Sequence, residues 1–198
     1  MAEELPELIV RDAAAWRAWL DAHHADGRGV WLILAKKGTT EPTSVSYDQA
    51  LDEALCYGWI DGQTRRRDEG TYQQRFTPRR TRSAWSRRNV GITARLIEEG
   101  RMRPAGQAEI DRARADGRFE AAYAGPATIE VPDDLTAALD ADPAAKRVFG
   151  QLNSQNRYAV LYRIATARRA DTRARRIAQL TEMLARGETV YPQKLPPA

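Results

Sequence analysis

Apolar and polar positions alternate with two different periods along the first half of the chain, and with one along the second. Leu8, Ile9 and Val10 form a short apolar run that predicts a strand. Asp12 then stands at a helix N-cap position, ahead of Ala15, Trp16, Trp19 and Leu20 on one helical stripe, with Gly27 and Gly29 ending the helix. The run from Gly29 to Lys37 (GVWLILAKK) is continuously apolar between glycine and charge, the pattern of a buried central strand. Ser46 precedes a segment in which Ala50, Leu51, Ala54 and Leu55 share a face, so a helix is expected from about Tyr47 to Tyr57, closing at Gly58. Trp59–Arg67 and Thr71–Pro78 predict a hairpin turning at Asp68, Glu69 and Gly70, with Gly70 in the left-handed position.

From Ser83 onward the period is helical. Ser83 or Ser86 is placed to cap a helix carrying Val90, Thr93, Ala94, Leu96 and Ile97 up to Gly100, and a further helix is expected over Ala105–Asp116, stopped by Gly117. Ala124–Pro132, with Gly125, Pro126 and Pro132 around a small apolar run, reads as a linker. Beyond it only helices are expected: Asp133–Leu139, Pro143–Leu152, Ser154–Ala167 and Asp171–Arg186, then an extended proline-rich tail. The fold class read from this order is α+β. A small, mostly antiparallel sheet with packed helices would fill residues 1–125, and an all-helical region 126–198.

A chain of 198 residues with 42% hydrophobic residues can bury a core of its own. The start, MAEELPELIV, lacks the apolar run of a secretory signal, and no stretch approaches the roughly 20 apolar residues of a membrane span. The expectation is a soluble cytoplasmic protein without membrane insertion. A single cysteine makes no internal disulfide, and His23 and His24 lack partners at zinc-site spacing, so neither a disulfide framework nor a metal is expected. Cys56 sits among apolar residues as a core thiol rather than a nucleophile.

Charge is uneven. Between Asp61 and Arg95 ten arginines face three acidic residues, a local +7 in a chain whose formal net charge is +4. The arginine- and alanine-rich composition also fits a GC-rich bacterial coding sequence, which accounts for part of this excess. Even so, Arg79, Arg80 and Arg82 lie just ahead of the predicted helix start at Ser83–Ser86, where free N–H groups and the helix dipole attract anions. Trp16, Trp19 and Trp31 have core spacing, whereas Trp59 and Trp85 neighbour polar residues and read as walls of a pocket. Asp61 is placed to orient an arginine or touch a ligand. No glycine-rich phosphate loop, GxSxG elbow or HExxH pair is present, and no cofactor is expected.

The run YDQALDEALCYGWIDG, then RFTPRRTRSAWSRRN and LIEEGRMRPAG, resembles the YdeI/OmpD-associated family, also called bacteriocin-protection proteins, with the C-terminal helices resembling the OmdA domain. The GWIDG turn, the PRR element, the S-x-W-S-x-x-N element and the GRM-x-P-x-G turn occur in order. The resemblance implies a cytoplasmic bacterial protein linked to tolerance of bacteriocins or cationic antimicrobial peptides, and it brings no established reaction. Its signature positions here are Trp59, Asp61, Arg75, Arg79, Ser83, Trp85, Ser86 and Asn89. Together with Arg80 they form the expected ligand site. A non-enzymatic role is expected, with an anionic small molecule or protein partner bound by the arginines and hydrogen-bonded by Ser83, Ser86 and Asn89. Two alternatives stand beside it: nucleic-acid binding through the same segment plus Arg168, Arg169, Arg173, Arg175 and Arg176, and a small hydrolase or transferase built on Asp61 with Ser83 or Ser86.

Overall fold

The structure, a computed structural model, describes residues 5–167 and 169–196. The chain divides into two compact units between Ala122 and Tyr123. Each is built around its own apolar cluster.

The first unit opens with a two-residue strand β1 (Glu7–Leu8), shorter than the apolar run Leu8–Val10 because the chain turns away to reach the Asp12 cap. The Asp12 carboxylate accepts the Ala15 N–H at 2.9 Å and starts helix α1 (Ala13–His23). Strand β2 (Val30–Ala35) is buried along nearly its whole length. Helix α2 (Tyr47–Cys56) starts with a full capping box between Ser46 and Gln49 and ends at Gly58, whose φ of 74° only glycine adopts without strain. The hairpin β3 (Trp59–Arg66) and β4 (Thr71–Pro78) follows. The sheet order is β1-β2-β4-β3, antiparallel except for the parallel β1–β2 pair, so the sheet is mixed.

The hairpin turn differs from expectation. Gly70 is not among the glycines at positive φ. The Asp68 carboxylate makes the turn instead, accepting the Gly70 and Thr71 N–H groups at 3.0 and 2.7 Å and the Thr71 hydroxyl at 2.7 Å. Glycine at 70 answers a steric need, because a Cβ there would lie 3.2 Å from Thr39 Oγ1.

One sheet face carries Val30, Leu32, Leu34 and Phe76 into a core with Trp16, Leu20, Leu51, Leu55 and Trp59. Trp16 stacks on Trp19 with ring centroids 5.3 Å apart, and both meet Trp59 edge-on. Helices α3 (Arg87–Glu98) and α4 (Pro104–Ala115) complete the unit. A smaller cluster of Trp85, Ile110 and Ala113 forms beside Val90, Met102, Phe119 and Ala122.

The second unit is helical: α5 (Asp133–Asp140), α6 (Pro143–Gln151), α7 (Ser154–Ala165) and α8 (Ala170–Ala185). Leu135, Leu139, Val148, Phe149, Val160, Leu161, Ile164, Ile177, Leu180 and Leu184 supply its core. The tail after α8 is tied down by the buried Asn156, whose amide donates to Tyr191 O and Gln193 Oε1 and accepts from Tyr191 N. Among the described residues no helix is long and apolar enough to cross a membrane.

Candidate functional site

The segment between β4 and α3 carries most of the predicted site residues. The Arg79 N–H donates to Gly58 O at 2.9 Å, which anchors the segment to the turn that begins the GWIDG motif. Arg80 and Ser83 then close a turn on themselves: Ser83 N donates to Arg80 O, and Ser83 Oγ accepts from Arg80 N. Ser86 is the N-cap of α3, its hydroxyl accepting the N–H of the buried Asn89 at 3.1 Å. Of the two serines expected to compete for the cap, Ser86 takes it.

Three buried side chains converge on the backbone of this segment. Arg79, Trp85 and Arg118 are only 6%, 2% and 4% exposed. The Arg79 guanidinium lies 3.7 Å from the Trp85 ring centroid and donates from Nη1 to Ala84 O at 3.2 Å. Phe119 meets the Trp85 ring edge-on at 5.0 Å. Arg118 approaches through the neighbouring carbonyl, donating from Nη1 to Ser83 O at 2.8 Å, while its Nε faces the Asp116 carboxylate at 2.7 and 2.8 Å. Two guanidinium groups thus hold successive carbonyls of one loop.

Their donor capacity is not exhausted. Arg118 Nη2 and Trp85 Nε1 are buried and hydrogen-bond to no protein atom among the described residues. A buried donor left without an acceptor costs about 1–3 kcal/mol, so each of these calls for an acceptor from outside the chain, a water or a ligand atom. Arg118 was not among the residues expected from the sequence. Its only local signal is its position after Gly117, which ends α4 at a φ of 71° and turns the chain back.

The charge around the site is equally one-sided. Arg80, Arg82 and Arg87 are exposed and form no ion pair among the described residues. The first turn of α3 contains no acidic residue and begins with Arg87 and Arg88. Cations there oppose the helix dipole, typically by a few tenths of a kcal/mol each, and an anion would reverse that sign. Of the other arginines in the +7 segment, Arg66 is also exposed without an ion pair among the described residues, while four are more occupied. Arg67 pairs with Glu7 and Asp68, Arg88 with Asp48, and Arg95 with Asp52 and Glu99, while Arg65 lies 4.0 Å from the Trp31 ring centroid.

The remaining predicted residues lie elsewhere. Trp59 is wholly buried in the aromatic core and donates from Nε1 to His24 O at 3.0 Å. Arg75 is half-buried on β4 opposite Trp31, its stem along Gly62 and its Nε buried with no hydrogen-bond partner. Asp61 accepts the Tyr47 hydroxyl at 2.8 Å, and Tyr47 in turn accepts from Arg88 at 3.2 Å. Burial, reinforced by the Asp61 charge, pushes the Tyr47 phenol up to about 12. No hydrogen bond joins Asp61 to Ser83 or Ser86 among the described residues.

Cys56 is buried, and burial first, then the Glu53 charge, pushes its thiol up to about 11. His23 and His24 bond to Asp26 and to Leu20 O. No group of three His, Cys, Asp or Glu side chains gathers as a metal site among the described residues. In the second unit Arg169 pairs with Asp171, Arg173 with Asp134, and Arg176 donates to Arg163 O, while Arg175 is exposed. Arg168 lies outside the described residues.

Residues 8–109 match a family described as a domain of unknown function, DUF8412, and residues 128–187 match the one described as "Bacteriocin-protection, YdeI or OmpD-Associated" (OmdA). No curated protein and no solved structure matches the chain. The first match spans just over half of the 198 residues and contains the GWIDG, PRR, S-x-W-S-x-x-N and GRM-x-P-x-G elements. The second covers α5 to α8. The chain therefore belongs to the DUF8412 family, and its helical C-terminal unit carries a match to the YdeI/OmpD-associated OmdA family.

Proposed function

We propose that the protein acts in the bacterial cytoplasm in tolerance of bacteriocins or antimicrobial peptides, by binding an anionic small molecule or the anionic group of a partner at Arg79, Trp85 and Arg118. The observation that carries this reading is the pair of buried, unaccepted donors on Arg118 and Trp85. The exposed Arg80, Arg82 and Arg87 support it, as does the cationic start of α3. Direct sequestration of a cationic peptide runs against the same charges, so protection would work through the bound anion or partner.

The reading is tested on two levels. Thermal unfolding of the purified protein is measured against phosphates, nucleotides, carboxylates and amino sugars, beside an Arg118→Gln variant. Survival of the host bacterium under a bacteriocin is compared for cells carrying no gene, the natural gene and the variant. A ligand-induced rise of several degrees that the variant loses, with protection lost in parallel, supports the proposal. Protection undiminished by the substitution would sink it.

Nucleic-acid binding is the second reading, favoured by Arg66, Arg80, Arg82 and Arg87, four exposed arginines of the first unit without ion pairs among the described residues. It requires affinity for short DNA or RNA that falls steeply with salt.

A further inference from the structure

We infer that the group this site takes is a phosphomonoester, an inference that rests on the anion-binding reading above and names its ligand class. The geometry of the donors separates a phosphoryl group from a carboxylate. A planar carboxylate is held best by two adjacent N–H groups on one edge of a guanidinium. In Arg118 that arrangement is already used internally: Asp116 occupies Nε, and Ser83 O engages Nη1. Nη2 is left to donate single bonds.

Trp85 and Ser86, adjacent on the segment before α3, add single donors from a different piece of backbone than Arg118. Trp85 Nε1 offers one N–H. The Ser86 hydroxyl accepts from Asn89 N, which leaves its own proton to give. Asn89 N is taken by that cap, whereas the N–H groups of Arg87 and Arg88 lie in the unsatisfied first turn of α3. Three terminal oxygens on a tetrahedral centre collect single bonds from several directions; a flat carboxylate does not.

Charge gives the same answer. Arg80, Arg82 and Arg87 on the segment form no ion pair among the described residues, and Arg118 beside it is paired with Asp116. A dianion neutralises that excess better than a monoanion. A phosphomonoester carries about −1.5 to −2 at pH 7, whereas a diester or a single carboxylate carries one charge.

The test measures binding by isothermal titration calorimetry at low and high sodium chloride, with four probes: inorganic phosphate, O-phosphoserine, dimethyl phosphate and succinate. Each is run on the natural protein, on Arg118→Gln, and on Arg82→Ala, where an exposed side chain is removed and folding is preserved. Phosphate or O-phosphoserine is expected to bind at least tenfold more tightly than dimethyl phosphate and succinate. Binding should be lost in Arg118→Gln and weakened a few-fold in Arg82→Ala. O-phosphoserine alone would mark a group carried on a peptide or metabolite, and phosphate alone the free ion; both outcomes support the inference. Succinate or dimethyl phosphate binding as tightly as phosphate, with the same sensitivity to Arg118, would overturn the ligand class and leave the anion site standing. No heat with any probe, or equal heat in all three proteins, would overturn both.

Discussion

Two glycine-to-alanine substitutions in neighbouring helices should move stability in opposite directions. In a helix interior Ala is better than Gly by about 1 kcal/mol, because glycine loses more backbone freedom on folding. Gly91 in α3 is exposed, and a Cβ built there meets nothing within 4 Å. Gly91→Ala should therefore stabilise by about 0.5–1 kcal/mol. Gly106 in α4 is buried against the end of α2, and a Cβ there would lie 2.3 Å from Cys56 O, 2.7 Å from Leu55 O and 2.6 Å from Met102 Sδ. Met102 can rotate away, but the two carbonyls belong to the last turn of α2. Relieving the overlap requires α4 to retreat by about 1 Å, at the roughly 1–3 kcal/mol of an overpacked interior. After subtracting the helix-propensity gain of about 1 kcal/mol, Gly106→Ala should cost about 1 kcal/mol, the middle of the range that remains.

All five tryptophans, Trp16, Trp19, Trp31, Trp59 and Trp85, belong to the first unit. Their fluorescence therefore reports that unit alone in a urea titration. A Gly106→Ala midpoint at or above that of the natural protein, alongside a raised Gly91→Ala midpoint, would refute the steric argument.

Glu53, buried between Arg17 and Arg101, links α1 and α2 to the Arg101 turn. Glu53→Gln should lower stability by about 2 kcal/mol in the same titration, below the usual cost of breaking a buried pair because both arginines reach solvent. Tyr47 and Tyr57 are both pushed up to about 12, by burial first and then by bonds to Asp61 and Asp21. The unfolded chain releases these protons near pH 10, about two units earlier, so the native state binds more protons in that window. Stability should be independent of the two phenols below pH 9 and fall between about pH 10 and 12, as checked by urea midpoints and tyrosinate absorbance. Asn156→Ala removes the bonds to Tyr191 and Gln193. It should cost about 2 kcal/mol and expose the tail to limited proteolysis without altering tryptophan fluorescence.

The elements were legible because their signals are local. Asp12, Ser46 and Ser86 cap helices through their own side chains, and Gly58, Gly100 and Gly117 take the positive φ that ends a helix. Where a second local device competed, the reading failed: Asp68 replaced Gly70 as the maker of the hairpin turn. The site was legible only in part, because it depends on side chains far apart in sequence. Arg79, Ser83 and Trp85 stand out as a motif, but Arg118 reaches Ser83 O from 35 residues away, and the helix-ending Gly117 before it says nothing of that contact. The environment of Trp59 was equally hidden. Asp61 lies two residues on and shares its strand face, and only Trp16 and Trp19, supplied by α1, make the Trp59 ring a core residue.

The family signature mixes two kinds of residue, and the structure separates them by what each would lose on substitution. A Cβ at Gly58 would lie 3.1 Å from Ala105 O, and Gly106 presses on the carbonyls of Leu55 and Cys56. The GWIDG and GRM-x-P-x-G elements thus grip each other across the end of α2, with Arg103 N donating to Cys56 O at 3.2 Å. Trp59 fills the core beside them. Those residues set the position of Gly58, and Gly58 O receives the Arg79 N–H from which the PRR and S-x-W-S-x-x-N elements begin. Substitutions in the gripping elements should therefore lower stability and ligand affinity together. Substitutions at Arg82 or Arg87, exposed and without ion pairs among the described residues, should lower affinity alone. Measuring both quantities on Gly106→Ala and Arg82→Ala separates the two classes, and an Arg82→Ala protein that loses stability as Gly106→Ala does would show that the division is wrong.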